Sequence, residues 1–563
     1  MTPFSQLNYQ RPDVPAVLET YRQLIARANS AQTGEELVAV YKAHDAADQA
    51  YGFAANLCSI RHTLDTTDPF YDEETAFFDE HTPAVGNIQL ELYRAFLASP
   101  HRQALADAYG DILLKKMEIA VKSADDRVLA LMQEDNRLVS AYIKLYASVK
   151  VEFDGKTLTL AQLGPYKQST DRAVRKAAYE AEGAFFDAHR EELDSLYGQM
   201  VECRNAQARA LGYKDYSELS YLRMGRIDYG PEEVERYRRQ VVRDVVPAIA
   251  QLQARRMKRV EVADPKFYDL GLYFKDGNPT PHGTPEQLLA WAKQMYHELS
   301  PETARFIDDM FQRETFDVLS RPGKAQGGYC ETIPGYGPFV FSNFNGTSGD
   351  VDVLTHEAGH AFQAYVAMEN HLPGELASPG MESCEIHSMS MEFLTSPWHH
   401  LFFGPDTAKY QLYHAEDSLS FLPYGCLVDE FQQIMYQQPH LTPDERNQVW
   451  LELEHKYRPW IDFADLPFYG RGAGWQRQLH IYLYPFYYID YCMAQVMSLQ
   501  FYALSLEDRE KAWEKYMAFV RQGGTKTFVD LAHSVDLRSP IDQGCVKDVC
   551  QAAFQWTEGH LVE

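Results

Sequence analysis

Positive charge is scarce in this chain: 53 lysines and arginines face 80 aspartates and glutamates, a formal net charge of −27 over 563 residues. A field of that sign repels phosphate backbones and excludes nucleic acid as a partner. Cysteine is also sparse. The eight, at positions 58, 203, 330, 384, 426, 492, 545 and 550, include no Cys-x-x-Cys pair, and only Cys545 and Cys550 lie close together. That scatter argues against a disulfide framework and predicts free thiols. Long apolar runs are missing too, so no segment is predicted to cross a membrane. The opening residues, Met1 to Tyr9, hold neither the basic stretch nor the apolar run of an export signal. Together these absences predict a cytoplasmic enzyme. There is no internal repeat and no low-complexity tract.

What remains is a globular composition, 45% hydrophobic and 24% charged. The length exceeds one ordinary domain and predicts two or more lobes, or one large fold around a cleft. Amphipathic runs such as Glu35 to Leu64 and Asp126 to Tyr146 predict helices from about Pro15 to Ser148. Val149 to Leu160 alternates apolar and polar residues around Asp154-Gly155, a hairpin signature. Helical periodicity resumes from Asp171 to Met257. The stretch 266–349 holds most of the glycine and proline punctuation and short β-like runs, among them Phe339 to Asn345. Helical patterns then continue to the end. The expected fold is mostly α-helical and two-lobed, with a small β-sheet beside a cleft. Residues 1–200 form the N-terminal helical lobe in this reading, and residues 201–563 the catalytic region.

The chemistry concentrates at His356-Glu357-Ala-Gly-His360, on a helix expected to start after Gly349 with Ser348 or Asp350 as its cap. Residues i and i+4 share a helix face, so both imidazoles can reach one zinc ion while Glu357 lies beside its water. A catalytic zinc needs a third protein ligand. The helix from about Met381 supplies candidates, with Glu382, Glu385, Met389 and Glu392 on one face; Glu385 is the preferred ligand, and Cys384 or His387 are the other possibilities. Asp350 and Asp352 are read either as orienting an imidazole from behind or as acids favoured at a helix start.

These residues resemble the zinc oligopeptidase family of thimet oligopeptidase and oligoendopeptidase F, most closely its shorter bacterial oligoendopeptidase F-like members, sometimes called Pz-peptidases. The resemblance is carried by the motif, by Glu385 placed 25 residues after His360 in Glu-x-x-Ser, and by Glu392 seven further on. It extends through Arg204-Asn, Arg223-Met-Gly-Arg-Ile-Asp-Tyr229, Gly523-Gly-Thr and Ser539-Pro-Ile. It implies Glu385 as third zinc ligand, Glu392 and Ser388 as supports behind the ligands, and a helical ellipsoid with a deep central channel around a zincin-like core. It also implies a downstream set that hydrogen-bonds the scissile carbonyl. Tyr484, Tyr488 and Tyr491 keep the family's spacing, whereas His480 sits one residue closer to the first tyrosine than in thimet-type members.

The function expected is that of a metalloendopeptidase with one zinc ion per chain, cutting internal bonds of short unfolded peptides. Glu357 serves as the general base in this scheme, and His480, Tyr484, Tyr488 and Tyr491 are the candidates for oxyanion stabilisation. Phe339 to Asn345 is expected to lend a backbone edge to substrate. The glycine-rich Phe468 to Trp475 is expected to form a mobile loop over the site. Three readings compete: a zinc carboxypeptidase with the same ligands, a ferritin-like di-iron protein built on Glu357-x-x-His360 and Glu452-x-x-His455, and a non-catalytic peptide-binding protein with a structural zinc.

Overall fold

The computed structural model describes residues 2–463 and 466–562, and most of them are helical. Where helices start, the sequence supplies the caps. Asp13, Thr33 and Asp68 open Val14–Ser30, Gly34–Leu64 and Pro69–Ala98 by accepting backbone N–H groups. The hairpin at 151–158 forms as expected. Strands β1 (Val151–Phe153) and β2 (Lys156–Leu158) pair antiparallel, and Asp154 and Gly155 both adopt positive φ, as a two-residue hairpin turn requires.

The stretch 266–349 is more helical than its composition predicts. Pro285–Leu299 and Pro301–Arg313 are helices, each opened by a capping box, at Thr284 and Ser300, and by a proline in its first turn. After them come β3 (Phe316–Leu319), β4 (Tyr329–Ile333) and β5 (Gly337–Phe344), in the order β3-β5-β4. β5 pairs parallel with β3 and antiparallel with β4. The sheet leads directly into the motif helix, Gly349–Glu369, which packs on β5. All eight cysteines are free. Among the described residues, no helix is long and apolar enough to cross a membrane.

One large apolar core runs from Leu138 to Cys550, and a second gathers the helices between Val14 and Met117. Leu376 belongs to the second core although it lies between the motif helix and the next catalytic-region helix. The reason sits beside it. Glu375 accepts hydrogen bonds from Tyr41 (2.7 Å) and Tyr93 (2.8 Å), its Oε1 lies 2.7 Å from His44 Nε2, and its carbonyl accepts from Lys116 Nζ at 2.7 Å. Burial alone would raise the Glu375 pKa, but His44 and the two phenols outweigh it and bring the group down to about 2. The N-terminal helices are thereby tied to the short connection between the two helices that build the site.

Glu375→Gln should destabilise the protein by on the order of 2–3 kcal/mol, the loss of hydrogen bonds to a buried charge. Because the folded pKa lies below the ordinary carboxylate value, the wild-type advantage is present above about pH 4.5 and disappears as the pH falls from there towards 2. Chemical denaturation of both proteins across that window checks the sign.

Candidate active site

Two helices build the centre. Met381–Leu394 crosses the motif helix so closely that a Cβ on Gly359 would lie 2.6 Å from Ser388 Cα and 2.9 Å from the His387 carbonyl. Only glycine permits that approach. It brings Glu385 Oε2 within 3.0 Å of His356 Nε2 and 3.4 Å of His360 Nε2. These three residues form the one candidate metal-holding cluster among the described residues, with ligand atoms all within 4.8 Å of one another. A tetrahedral site with bonds of about 2.0–2.1 Å has ligand atoms roughly 3.3 Å apart, so the donor set and its spacing fit zinc. Burial alone would raise the Glu385 pKa, yet His360 and His356 hold it well below the carboxylate range.

Behind the ligands stands a second layer. Glu392 joins His356 Nδ1 and His414 Nε2, each at 2.7 Å, and so orients the first imidazole with Nε2 towards the centre. Ser388 Oγ donates to Glu385 Oε2 at 3.0 Å. Glu357 is buried, its pKa raised by that burial, and its Oε2 has no hydrogen-bonding partner among the described residues. A buried carboxylate oxygen left unpaired beside a metal-type cluster is the condition a base awaiting a proton must satisfy.

The other acidic and sulfur candidates lie outside this cluster. Glu382 is buried beside Gly380, its pKa pushed up to about 8 by burial, and is not part of the cluster. Cys384 contacts Ser378, and His387 is a core residue against Phe519. Asp350 accepts from the backbone of Asn345 and Gly346, both at 2.8 Å, closing the turn into the helix, while Asp352 accepts from Tyr410. Neither has a hydrogen bond to an imidazole among the described residues.

Three further expectations are corrected. β5, which includes Phe339 to Phe344, is the central strand, so it has no free edge to offer; the edges belong to β3 and β4. The glycine-rich stretch is packed, not a mobile lid. Phe468, Tyr469, Ala473, Gly474, Trp475 and Gln476 are buried, and a Cβ on Gly472 would overlap the Asn447 carbonyl. Glu452 and His455 are both exposed on the helix Pro443–Tyr457 and far from forming a second ligand pair, which removes the di-iron reading.

The aromatic segment is where tertiary structure adds most. Helix Leu479–Leu483 stops, and Tyr488–Glu507 begins after a kink at Phe486, whose φ is +68°. A phenylalanine in the left-handed region is strained and must be held. Gln432 Oε1 accepts from its N–H at 3.0 Å, and Arg226, buried over the rings of Tyr221 and Tyr229, donates to its carbonyl and to Asp490, both at 2.7 Å. Arg204 braces the preceding turn by donating to the Tyr482 carbonyl at 2.7 Å.

The kink turns Tyr487, which the sequence reading did not single out, onto the centre, where its hydroxyl donates to Glu385 Oε1. His480 Nε2 lies 3.2 Å from Tyr491 Oη. Tyr484 is 57% exposed beside the His480 and Tyr487 rings, and Tyr488 fills the space between His480, Tyr424 and Phe421. Burial lowers the His480 pKa to about 4, so the ring is neutral at neutral pH.

Set beside known proteins, residues 4–124 match the family model described as the peptidase M3 N-terminal domain, and residues 165–548 match that of peptidase family M3. The chain is 24% identical over 421 residues to an oligopeptidase PepF of Bacillus subtilis, a match spanning 71% of this chain and 60% of that protein. It is 22% identical over 526 residues to an oligoendopeptidase F homolog of Lactococcus lactis, spanning 88% of this chain and 81% of the relative. Among solved structures, a Pz peptidase A with an inhibitor superposes with a TM-score of 0.97 at 43% identity, covering 99% of each chain. A putative oligoendopeptidase F from Bacillus anthracis gives 0.93 at 41%, covering 99% of this chain and 98% of that one.

Gly359→Ala should push the two helices apart. The expected outcome is a stability loss of about 1–3 kcal/mol together with weakened metal binding, read from the melting temperature and from a metal titration.

Proposed function

The chain belongs to peptidase family M3, and from that premise we propose that it is a zinc-dependent endopeptidase that hydrolyses internal bonds of short, unfolded oligopeptides. The observation that carries this reading is the convergence of His356, His360 and Glu385 beside the unpaired, buried carboxylate of Glu357. Names of similar proteins, oligopeptidase and oligoendopeptidase, support the substrate class. A two-lobed ellipsoid with a deep channel accounts for the restriction to short peptides, since an occluded cleft rejects folded chains.

His356, His360 and Glu385 hold the ion in this scheme, with Glu392 and Ser388 fixing their orientation. Zinc, when bound, supplies the Lewis acidity that brings a water towards a pKa of about 7 and polarises a carbonyl. Glu357 accepts the proton of the attacking water and delivers it to the leaving amine. His480 and the hydroxyls of Tyr488 and Tyr491, joined by the newly placed Tyr487, are the donors available to the carbonyl oxygen as it gains charge. Tyr484, exposed beside them, contacts the substrate.

The strand that receives the peptide in this reading is β4. A Cβ on Gly328, just before it, would lie 3.3 Å from Glu357 Oε1, so the strand starts at the base. Asn56 donates to the Thr332 carbonyl at 2.8 Å and therefore marks the side of β4 that faces away from β5. Strand alternation puts the N–H and C=O of Cys330 on that same side, open to an added strand.

Glu357→Gln should retain zinc and peptide affinity while kcat falls by about 10²- to 10⁴-fold, because only the proton acceptor is lost. Near-normal turnover with zinc retained overturns the assignment of the base. Glu385→Ala should lose zinc and Glu382→Ala should keep it, as measured by metal stoichiometry. Mass analysis of cleaved peptides separates the remaining alternative: internal fragments support the endopeptidase, whereas stepwise release of single C-terminal residues supports a carboxypeptidase.

A further inference from the structure

We propose that Gln478 is a positioning residue that locks the His480 imidazole as its Nε2–H tautomer, so that the ring offers the reacting carbonyl a proton donor and not an acceptor. This inference rests on the reading of His480 as an oxyanion donor. A neutral imidazole carries its proton on one nitrogen, and the partner of the other nitrogen decides which. His480 Nδ1 lies 2.9 Å from the side-chain nitrogen of Gln478, on the side of the ring away from Tyr491.

An amide presents a donor at one end and an acceptor at the other in nearly the same shape, so a third group must set which end faces the ring. That group is Tyr424. Its hydroxyl donates to Gln478 Oε1 at 2.8 Å. The phenol stands in a cavity of about 130 Å³ that it shares with Arg458 and Arg477, and the Arg458 guanidinium lies 4.6 Å from its ring centroid. Guanidinium groups only donate. The carboxylate in the same cavity, Glu454, is engaged by Arg458 at 2.8 Å. Among these donors and an engaged carboxylate, the acceptor the phenol finds is Gln478 Oε1, to which it gives its proton. The amide N–H₂ then turns to His480 Nδ1, which accepts, and the proton resides on Nε2, facing Tyr491 and the centre.

The backbone holds Gln478 in place for this task. Its N–H donates to the Trp475 carbonyl at 3.0 Å, and Tyr146 donates to the Arg477 carbonyl at 2.9 Å. The titratable groups facing the His480 ring are Tyr484, Tyr487, Tyr488 and Tyr491, with the Glu385 charge further off. None of them reaches Nδ1 among the described residues, so Gln478 alone determines that nitrogen's role.

The test uses the full-length, zinc-loaded enzyme labelled with ¹⁵N-histidine, His480 being assigned by its loss in His480→Ala. In the wild type, Nε2 should show the protonated and Nδ1 the unprotonated ¹⁵N shift. Gln478→Leu and Tyr424→Phe release the lock; kcat should fall by about 10-fold, in the range seen when the partner behind an active-site histidine is removed, with KM little changed. Gln478→Glu is the sharper probe. Its carboxylate accepts from Nδ1–H, so Nε2 keeps a proton only while the ring is doubly protonated. That variant should show kcat falling as the pH rises through a new ionisation that the wild type lacks. A wild-type shift pattern with Nδ1 protonated, or a Gln478→Glu enzyme with unchanged shifts and pH profile, overturns the proposal. His480→Ala should itself lose about 10²-fold in kcat, as for a lost oxyanion donor. If it does not, the reading of His480 fails; if it does while Gln478→Glu changes nothing, only the tautomer lock fails.

Discussion

The contact on which this structure depends is the approach of two helix backbones at Gly359. Metal-type chemistry needs three donors within a few ångströms, and the motif helix carries only two. The third comes from a helix that can reach them only because Gly359 has no side chain to hold Ser388 and His387 away. Around that crossing the packing is unforgiving. Tyr516 donates to the His387 carbonyl at 2.9 Å and fixes the second helix from behind, while Glu392 joins the same helix to His356 and His414. The ligands are thus oriented by the helices and by a buried hydrogen-bond network, an arrangement that costs little rearrangement when a cation enters.

A second constraint shapes the wall opposite the metal helices. Pro485, which lacks an N–H, already interrupts the helical stretch from His480 to Tyr491. The next residue, Phe486, then takes a left-handed conformation, with Arg226 and Gln432 holding the two sides of its peptide. Such strain persists only where neighbouring bonds over-determine it. The result is that several phenols and one imidazole face one ligand triad from different turns. The Arg223-to-Tyr229 segment, which touches none of the ligands, acts on the site through this brace.

The N-terminal helices enter the same scheme at a distance. Glu375, on the connection between the motif helix and the Glu385 helix, is the meeting point of Tyr41, His44 and Tyr93. The two apolar cores are distinct, and further polar contacts, such as Ser140 to Asp79 at 2.6 Å and Lys144 to Asp72 at 2.6 Å, join their helices elsewhere. A buried carboxylate with that many donors makes the connection rigid, and rigidity there limits how far the two ligand-bearing helices can drift.

The sequence by itself determined what depends on short range: most of the helices, the hairpin at Asp154-Gly155 and the pairing of His356 with His360 across one turn. Each of these is a consequence of local periodicity or of residue type. Ser348, expected to cap the motif helix, makes no side-chain cap, and Glu385 was singled out by resemblance to a known family. The free edge of the sheet, by contrast, depends on strand order, which pairs β5 on both sides and leaves β4 open. Asp350 and Asp352 have the right spacing to serve the histidines, yet neighbours far along the chain or in the preceding turn claim them. The three glycines at 470–474 look like a hinge, yet Gly472 and Gly474 are packing positions against Asn447 and Trp450. Tyr487 was hidden because helical spacing favours Tyr484, Tyr488 and Tyr491, and only a kink held by residues more than fifty positions away turns it inward. Local propensity selects the elements, but which side chains meet is decided by long-range contacts, since these hold the left-handed turn at Phe486 that redirects the side chain following it.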